Sequence, residues 1–242
     1  MRKRSTIQEE IWAEHIRKLT PSDIVAEFSK PAVFQIELSN LINNISDRYS
    51  SVIEVGCETG ITSFLISDKW KRTLLDLNPG AIALAAKAAL LLHKEATFVV
   101  GDMFAMSFSD ESFDLVFNAG VIEHFDKDDR VAALREYSRI LKPGGRIIIG
   151  YPNHYCPPYR CAYLLLKMIG RWRFPSEYKI YDLKEEIDAC GLVLEQRRTM
   201  SKKTIFQWLD FAIPVKTMFA MLDKIRNYEG YLTVLIIAKR AQ

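Results

Sequence analysis

The sequence predicts a doubly wound α/β fold, and three observations carry the prediction. Between Ser51 and Gly150, short apolar runs of strand length alternate with longer stretches of helical spacing. The strand runs are apolar nearly throughout, as in a parallel sheet covered on both faces. The first run enters a glycine-punctuated turn, Gly56 to Gly60, that opens a helical stretch.

The strand candidates are Val52–Val55, Thr73–Leu77, Thr97–Val100, Phe113–Asn118 and Arg146–Gly150. A helical stretch begins at Gly60, and Pro79–His93 forms a second, with Pro79 suited to a first helical turn. Asp126–Leu141 reads as an amphipathic helix with Val131, Leu134, Tyr137 and Leu141 on one face, ended by Lys142-Pro143-Gly144-Gly145. A helix near Asp182–Ala189 and strands near Leu192–Arg198 and Tyr231–Ala238 follow.

Composition sets the outer bounds. The 242 residues carry 33 Lys+Arg against 30 Asp+Glu, a net charge of +3, and are 49% hydrophobic and 26% charged. That is a globular composition at a length suited to one large domain with an appendage, without a nucleic-acid signal in its charge. Cys57, Cys156, Cys161 and Cys190 are too few for a disulfide framework and read as reduced thiols. The opening MRKRSTIQEEIWAEH has no apolar signal stretch, and no run reaches membrane-span length. A soluble cytoplasmic protein is expected.

The most informative string is VIEVGCETG, residues 52–60. Such a turn at the first strand of a doubly wound sheet binds either a dinucleotide or S-adenosylmethionine (SAM). A dinucleotide site wants a second glycine where this chain has Glu58, and a carboxylate there repels a diphosphate. SAM carries an ammonium and a sulfonium and no phosphate, so Glu54 and Glu58 suit it. Asp76 ends the next strand twenty residues beyond Gly56, where a carboxylate can accept from ribose hydroxyls. Asp102 and Met103 end the third, suited to an adenine amino group and ring.

Four pieces in order, VIEVGCETG, LLDLNPG, GDMFAMSFSDESFDLVFNAGVIEHF and ILKPGGRIIIGYPN, resemble the class I SAM-dependent methyltransferases, most closely the small-molecule group that includes the ubiquinone-biosynthesis enzymes. The resemblance covers about residues 45–150, and Tyr178–Gly191 more loosely. It implies a seven-stranded Rossmann-like sheet whose last strand inserts antiparallel, with a helical lid. It assigns Glu54, Gly56, Cys57 and Gly60 to the methionine portion of SAM, Asp76 and Leu77 to the ribose, and Asp102 and Met103 to the adenine. Asn118, Ala119 and Gly120 would pass beneath the cofactor near the methyl group. Glu58 departs from the family's usual glycine.

Methyl transfer needs alignment and, for some nucleophiles, removal of a proton. His124, in GVIEHF, is the candidate base, with packing or cofactor-shell roles as the alternative. His15, His93 and His154 read as ordinary surface or helix residues, and Glu58 and Glu123 equally as solvated or capping carboxylates. His154-Tyr155-Cys156 with Cys161 lacks the paired spacing of a zinc site, so no metal is expected. CPPY, residues 156–159, resembles a motif of amino-group DNA methyltransferases but does not follow the fourth strand.

The resemblance puts acceptor specificity outside the sheet. Residues 1–48 are expected to form a helical cap, with Ile7, Ile11, Ile16 and Leu19 at helical spacing, and 49–242 the SAM-binding domain with lid segments at 151–175 and 201–228. The first lid segment carries +4 and no acid. The second carries five cations against Asp210 and Asp223, and is too apolar to be left exposed over its length. A small or lipid-like acceptor fits, and peripheral membrane contact and a homodimer are compatible with such a lid. The competing readings are a non-catalytic SAM-fold partner subunit and an NAD(P)-dependent dehydrogenase, the latter opposed by Glu58 and by the lack of a Tyr-x-x-x-Lys pair after the fourth strand.

Overall fold

The computed structural model describes residues 6–239, so the extreme ends of the expected cap and domain, 1–5 and 240–242, lie outside it. Seven strands form one sheet in the order β3-β2-β1-β4-β5-β7-β6. These are β1 Ser51–Val55, β2 Lys71–Asp76, β3 Thr97–Val100, β4 Phe113–Ala119, β5 Leu141–Pro152, β6 Leu192–Met200 and β7 Leu232–Lys239. The first five pair in parallel, and β7 lies antiparallel between β5 and β6. The expected doubly wound sheet with an inserted last strand is thus present.

Alternation along the strands feeds two cores. Ile53, Val55, Val116, Ile147 and Ile149 face one side, under helix α6 (Lys127–Ile140) and its buried Tyr137. Val52, Leu115, Phe117 and Ile148 face the other, under α3 (Val33–Asn43) with Leu38 and Ile42. Burial on both faces is why these strands are apolar at successive positions. The edge strand β6 is exposed through most of its length, which accounts for its Glu195, Gln196, Arg197 and Arg198.

Local chemistry sets the helix ends. Thr20 and Asp23 form a capping box at α2 (Pro21–Ser29), Asn78 caps α5 (Pro79–Leu92), and Asp126 caps α6. His93 ends α5 in the left-handed conformation at φ +53°. The stretch after Gly60 is only one short helix, α4 (Ile61–Leu65). The sequence Lys142-Pro143-Gly144-Gly145 is drawn into the start of β5, with a register shift against β4 between Phe113 and Leu115.

The segments outside the repeat divide into two ends. The N-terminal helices α1 (Thr6–Arg17), α2 and α3 pack along the sheet, with Ile16 and Ile24 in a cluster with α5. At the other end α7 (Pro157–Met168), α8 (Lys184–Ala189) and α9 (Ile213–Arg226) follow β5 and β6. The expectation that 201–228 hides its apolar residues holds only for its first half. Ile205 and Leu209 are fully buried, but no residue of α9 is.

Candidate functional site

The carboxyl ends of β1, β2, β3 and β4 meet around a cavity of about 370 Å³, walled on one side by Trp12, Ala13 and Ile16 of α1. A cavity at this edge follows from topology: the strand order reverses beside β1, so the loops after β1 and β4 leave in opposite directions and part.

The loop after β1 is shaped by its glycines. Gly56 sits at φ +70°, and a Cβ there would come within 2.8 Å of Val121 Cγ2. Gly60 sits at φ +76°, where a Cβ would meet Leu74 at 2.3 Å. Between them Glu58 also adopts a positive φ, +48°. This explains why glycine is the usual residue there: a side chain in the left-handed region costs about 1 kcal/mol.

Glu58 is held from both ends. Its amide donates to Asp76 Oδ2 at 2.9 Å, and its carboxylate lies 3.1 Å from His15 Nε2 on α1. Asp76 also accepts from the Asn78 amide at 2.9 Å, and burial raises its pKa against these hydrogen bonds. The Asp102 carboxylate accepts from the Phe104 amide at 3.0 Å, which turns the chain after β3.

His124 is buried at the cavity wall, in a 3₁₀ turn Ile122–His124 after β4. Its Nδ1 lies 3.3 Å from the Ser176 carbonyl, and its ring meets Trp12 edge-on at 5.9 Å. A carbonyl only accepts, so Nδ1 carries the proton and Nε2 keeps a lone pair. Burial pushes the imidazole pKa down, against the Ser176 bond, so the ring is neutral near pH 7.

The cavity wall has a one-sided charge. Glu9, Glu58, Asp76 and Asp102 contribute carboxyl groups, and among the described residues no Lys or Arg lines it.

Of the residues singled out from sequence, Gly56, Asp76, Leu77, Asp102, Met103, Ala119, Gly120 and His124 line the cavity. Glu54, Cys57, Gly60 and Asn118 do not line it. Glu54 points into the protein, where its carboxyl accepts from the Ser63 hydroxyl and amide; burial raises its pKa to about 8. Cys57 packs into the cluster beneath α5, its thiol pKa raised by the same burial. Asn118 is fully buried and donates to the Tyr137 hydroxyl at 2.8 Å. For the strand residues Glu54 and Asn118 the cause is that successive residues of a strand face opposite sides, and the sequence identifies the string without saying which members face the ligand.

Of the histidines read as ordinary surface or helix residues, His15 is a half-exposed residue of α1 that makes a further contact, and His154 is buried. His15 joins the loop after β1, and Nδ1 of His154 lies 3.4 Å from Arg160. Trp12 was not singled out, although its placement one helical turn before His15 puts both on one face of α1. Neither expected lid segment contributes a lining residue, but Phe174 reaches Trp12 at 5.8 Å.

Comparison with known proteins agrees with this geometry. Residues 52–145 match a family model described as a methyltransferase domain. Phosphoethanolamine N-methyltransferase 1 of Arabidopsis thaliana is 31% identical over 107 residues, 43% of this chain and 21% of the plant protein, so the chain spans about a fifth of that relative. The ubiquinone/menaquinone biosynthesis C-methyltransferase UbiE of Bartonella henselae is 27% identical over 231 residues, 91% of this chain and 77% of that protein. A solved structure of geranyl diphosphate methyltransferase in complex with SAM has a TM-score of 0.63 at 15% identity, covering 91% of this chain and 90% of that one. That likeness is one of fold.

Proposed function

We propose that this chain, a class I SAM-dependent methyltransferase by its domain at residues 52–145, moves a methyl group from SAM to an O, N or C nucleophile of a small or lipid-like acceptor. The observation that carries the reading is the charge of the cavity: four carboxyl groups and, among the described residues, no Lys or Arg. Such a wall attracts an ammonium and a sulfonium and repels a diphosphate. The tight approach of Gly56 to Val121 adds a main-chain cradle that a Cβ would fill.

Asp76 and Leu77 are assigned to the ribose, Asp102 and Met103 to the adenine, and Gly56, Ala119 and Gly120 to the amino-acid end and the methyl position. Glu54, Cys57, Gly60 and Asn118 are assigned instead to holding the loop and β4 in shape. SAM, when bound, supplies a methyl group already activated on a sulfonium. The chain contributes position and exclusion of water: Trp12 and Ile16 cover the cavity from α1, and Phe104 and Phe125 dry its far wall. His124, neutral and carrying a lone pair on Nε2, is suited to take a proton from the acceptor.

The names of the relatives support the acceptor class. The Bartonella protein is named for ubiquinone and menaquinone biosynthesis, which supports a lipid-like acceptor here. Helices α1–α3 are read as the cap on the cofactor side, and 151–175 and 201–228 as acceptor-side elements.

Calorimetric titration with SAM, S-adenosylhomocysteine and NAD(P) tests the cofactor. Uptake of the first two and indifference to the dinucleotides is expected, and the reverse would sink the reading. Radiolabelled SAM offered with lipid, soluble-metabolite and RNA fractions tests the acceptor. Label is expected in lipid or metabolite, and label confined to RNA would overturn that part.

A further inference from the structure

Helix α9 carries a second apolar stripe, turned away from the body of the protein. Its outward stripe, at the i, i+4, i+7, i+11 spacing of one helical face, is Pro214, Met218, Met221 and Ile225, with Leu222 beside it. Met218 is 48% exposed, Met221 63% and Ile225 83%, and Ile213 just before the stripe is 59% exposed. The half-buried side is mixed: Val215, Phe219 and Ala220 face the body, with Phe219 against Tyr228, while Lys216 pairs with Asp210 at 2.5 Å and Asp223 with Lys202 at 2.6 Å. Two ion pairs and the Phe219–Tyr228 contact fasten the helix to the body, and the stripe of Met218, Met221 and Ile225 is left on the outside.

Among the described residues, the charges around the stripe that make no ion pair have one sign. Asp210, Asp223 and Glu229 are each engaged in an ion pair, Glu229 with Arg197 at 3.2 Å. Lys203, Lys224 and Arg226 are exposed and make no ion pair among the described residues. Helix α7, which packs against the same Gln207–Leu209 turn as α9, repeats the pattern with exposed Leu164, Met168 and Ile169 followed by Arg171 and Arg173.

We propose that α9 is a membrane-docking helix that lays its Met218–Met221–Ile225 stripe into the interface of an anionic lipid bilayer. An apolar face bordered by Lys and Arg is what such an interface takes: the apolar side chains enter the headgroup boundary, and the cations meet lipid phosphates. A second copy of the chain is the poorer occupant. Two-fold pairing would bring Lys224 and Arg226 against their own copies, with no unengaged acid on this face to receive them. The inference uses nothing of the cofactor cavity and goes beyond the methyl-transfer reading. No helix among the described residues is long and apolar enough to cross a membrane, so the contact is one of lying on the surface.

Vesicle flotation of the full chain provides the test, with phosphatidylcholine alone and with about 30% phosphatidylglycerol added. The wild type is expected to float with the anionic vesicles and to stay behind with the neutral ones. Met221→Glu/Ile225→Glu and, separately, Lys224→Glu/Arg226→Glu are each expected to lose at least about tenfold in partitioning. All four positions are exposed, so both variants should keep the wild-type melting temperature and SAM affinity. Indifference of the wild type to anionic lipid, or unchanged flotation of both variants, would overturn the proposal. So would a wild-type dimer in sedimentation velocity that Met221→Glu/Ile225→Glu dissociates, because a second copy would then cover the face. SAM titration of the same samples keeps the two readings apart: a chain that floats but ignores SAM loses its proposed function and keeps its docking helix.

Discussion

His15 on α1 and Glu58 on the loop after β1 are joined across the mouth of the cavity, Nε2 to Oε1 at 3.1 Å. The contact ties the N-terminal helix to the segment that shapes the cofactor end of the site. Trp12, on the same face of α1, meets both His15 and His124 edge-on, so one helix touches both walls.

This contact makes the docking of α1 pH-dependent. The hydrogen bond to Glu58 raises the His15 pKa above its ordinary 6.5, against the effect of burial. A raised histidine stabilises the docked state fully below pH 6.5 and loses that contribution as pH climbs through the docked-state value. Both partners are more than a third exposed, so the effect is under about 1 kcal/mol. Hydrogen exchange of the α1 amides should accelerate as pH rises, beyond the intrinsic rate change, and His15→Gln should abolish the excess. An excess that persists in that variant would remove His15 as its source.

Glu58 stands in a conformation glycine prefers, at φ +48°. Replacing it by alanine removes the contact to His15 and keeps the strained backbone, whereas glycine removes both. Glu58→Gly should therefore be more stable than Glu58→Ala by about 1 kcal/mol in denaturant unfolding. Equal stability of the two would mean the loop relaxes.

Gly56 faces Val121 across a gap that a methyl group would close to 2.8 Å, at φ +70°. Gly56→Ala should cost about 1–3 kcal/mol of stability and most of the SAM affinity. Adding Val121→Ala should recover part of both by removing the collision, with the backbone strain left in place. Calorimetry on the single and double variants separates the two contributions.

Glu54 is buried with Ser63, and burial raises its pKa from an ordinary 4.5 to about 8. The neutral acid is favoured in the folded state, so its contribution is fully present below pH 4.5 and lost as pH rises toward 8. Glu54→Gln, which keeps the shape without the charge, should flatten the fall in melting temperature across that window. A parallel fall in both proteins would place its origin elsewhere.

His124 must be neutral to accept a proton, and burial depresses its pKa below 6.5. If it removes the acceptor's proton, kcat/KM should be level above pH 6.5 and decline on the acid side. His124→Gln should then lose about a hundredfold to ten-thousandfold in rate with SAM affinity nearly unchanged. A small loss with the acid limb intact would confine His124 to packing against Trp12.

The α/β class, the parallel strands and the edge of the sheet where ligand-binding residues gather are legible in the amino-acid order. These rest on local patterns: continuous apolar runs, caps such as Asn78 and Asp126, and glycines at tight turns. The same order also carried the charge argument, since Glu58, Asp76 and Asp102 all end strands or open the loops after them. Which members of each string face the cavity is set by the packed chain, which turns Glu54 toward Ser63 and Asn118 toward Tyr137 while Asp76 stays at the wall. It alone brought His15 to Glu58, forty-three residues away in the chain, and set α9 with its apolar stripe outward. Side-chain direction within a loop and the pairing of distant helices depend on what packs against them, and no pattern within one segment records the neighbour.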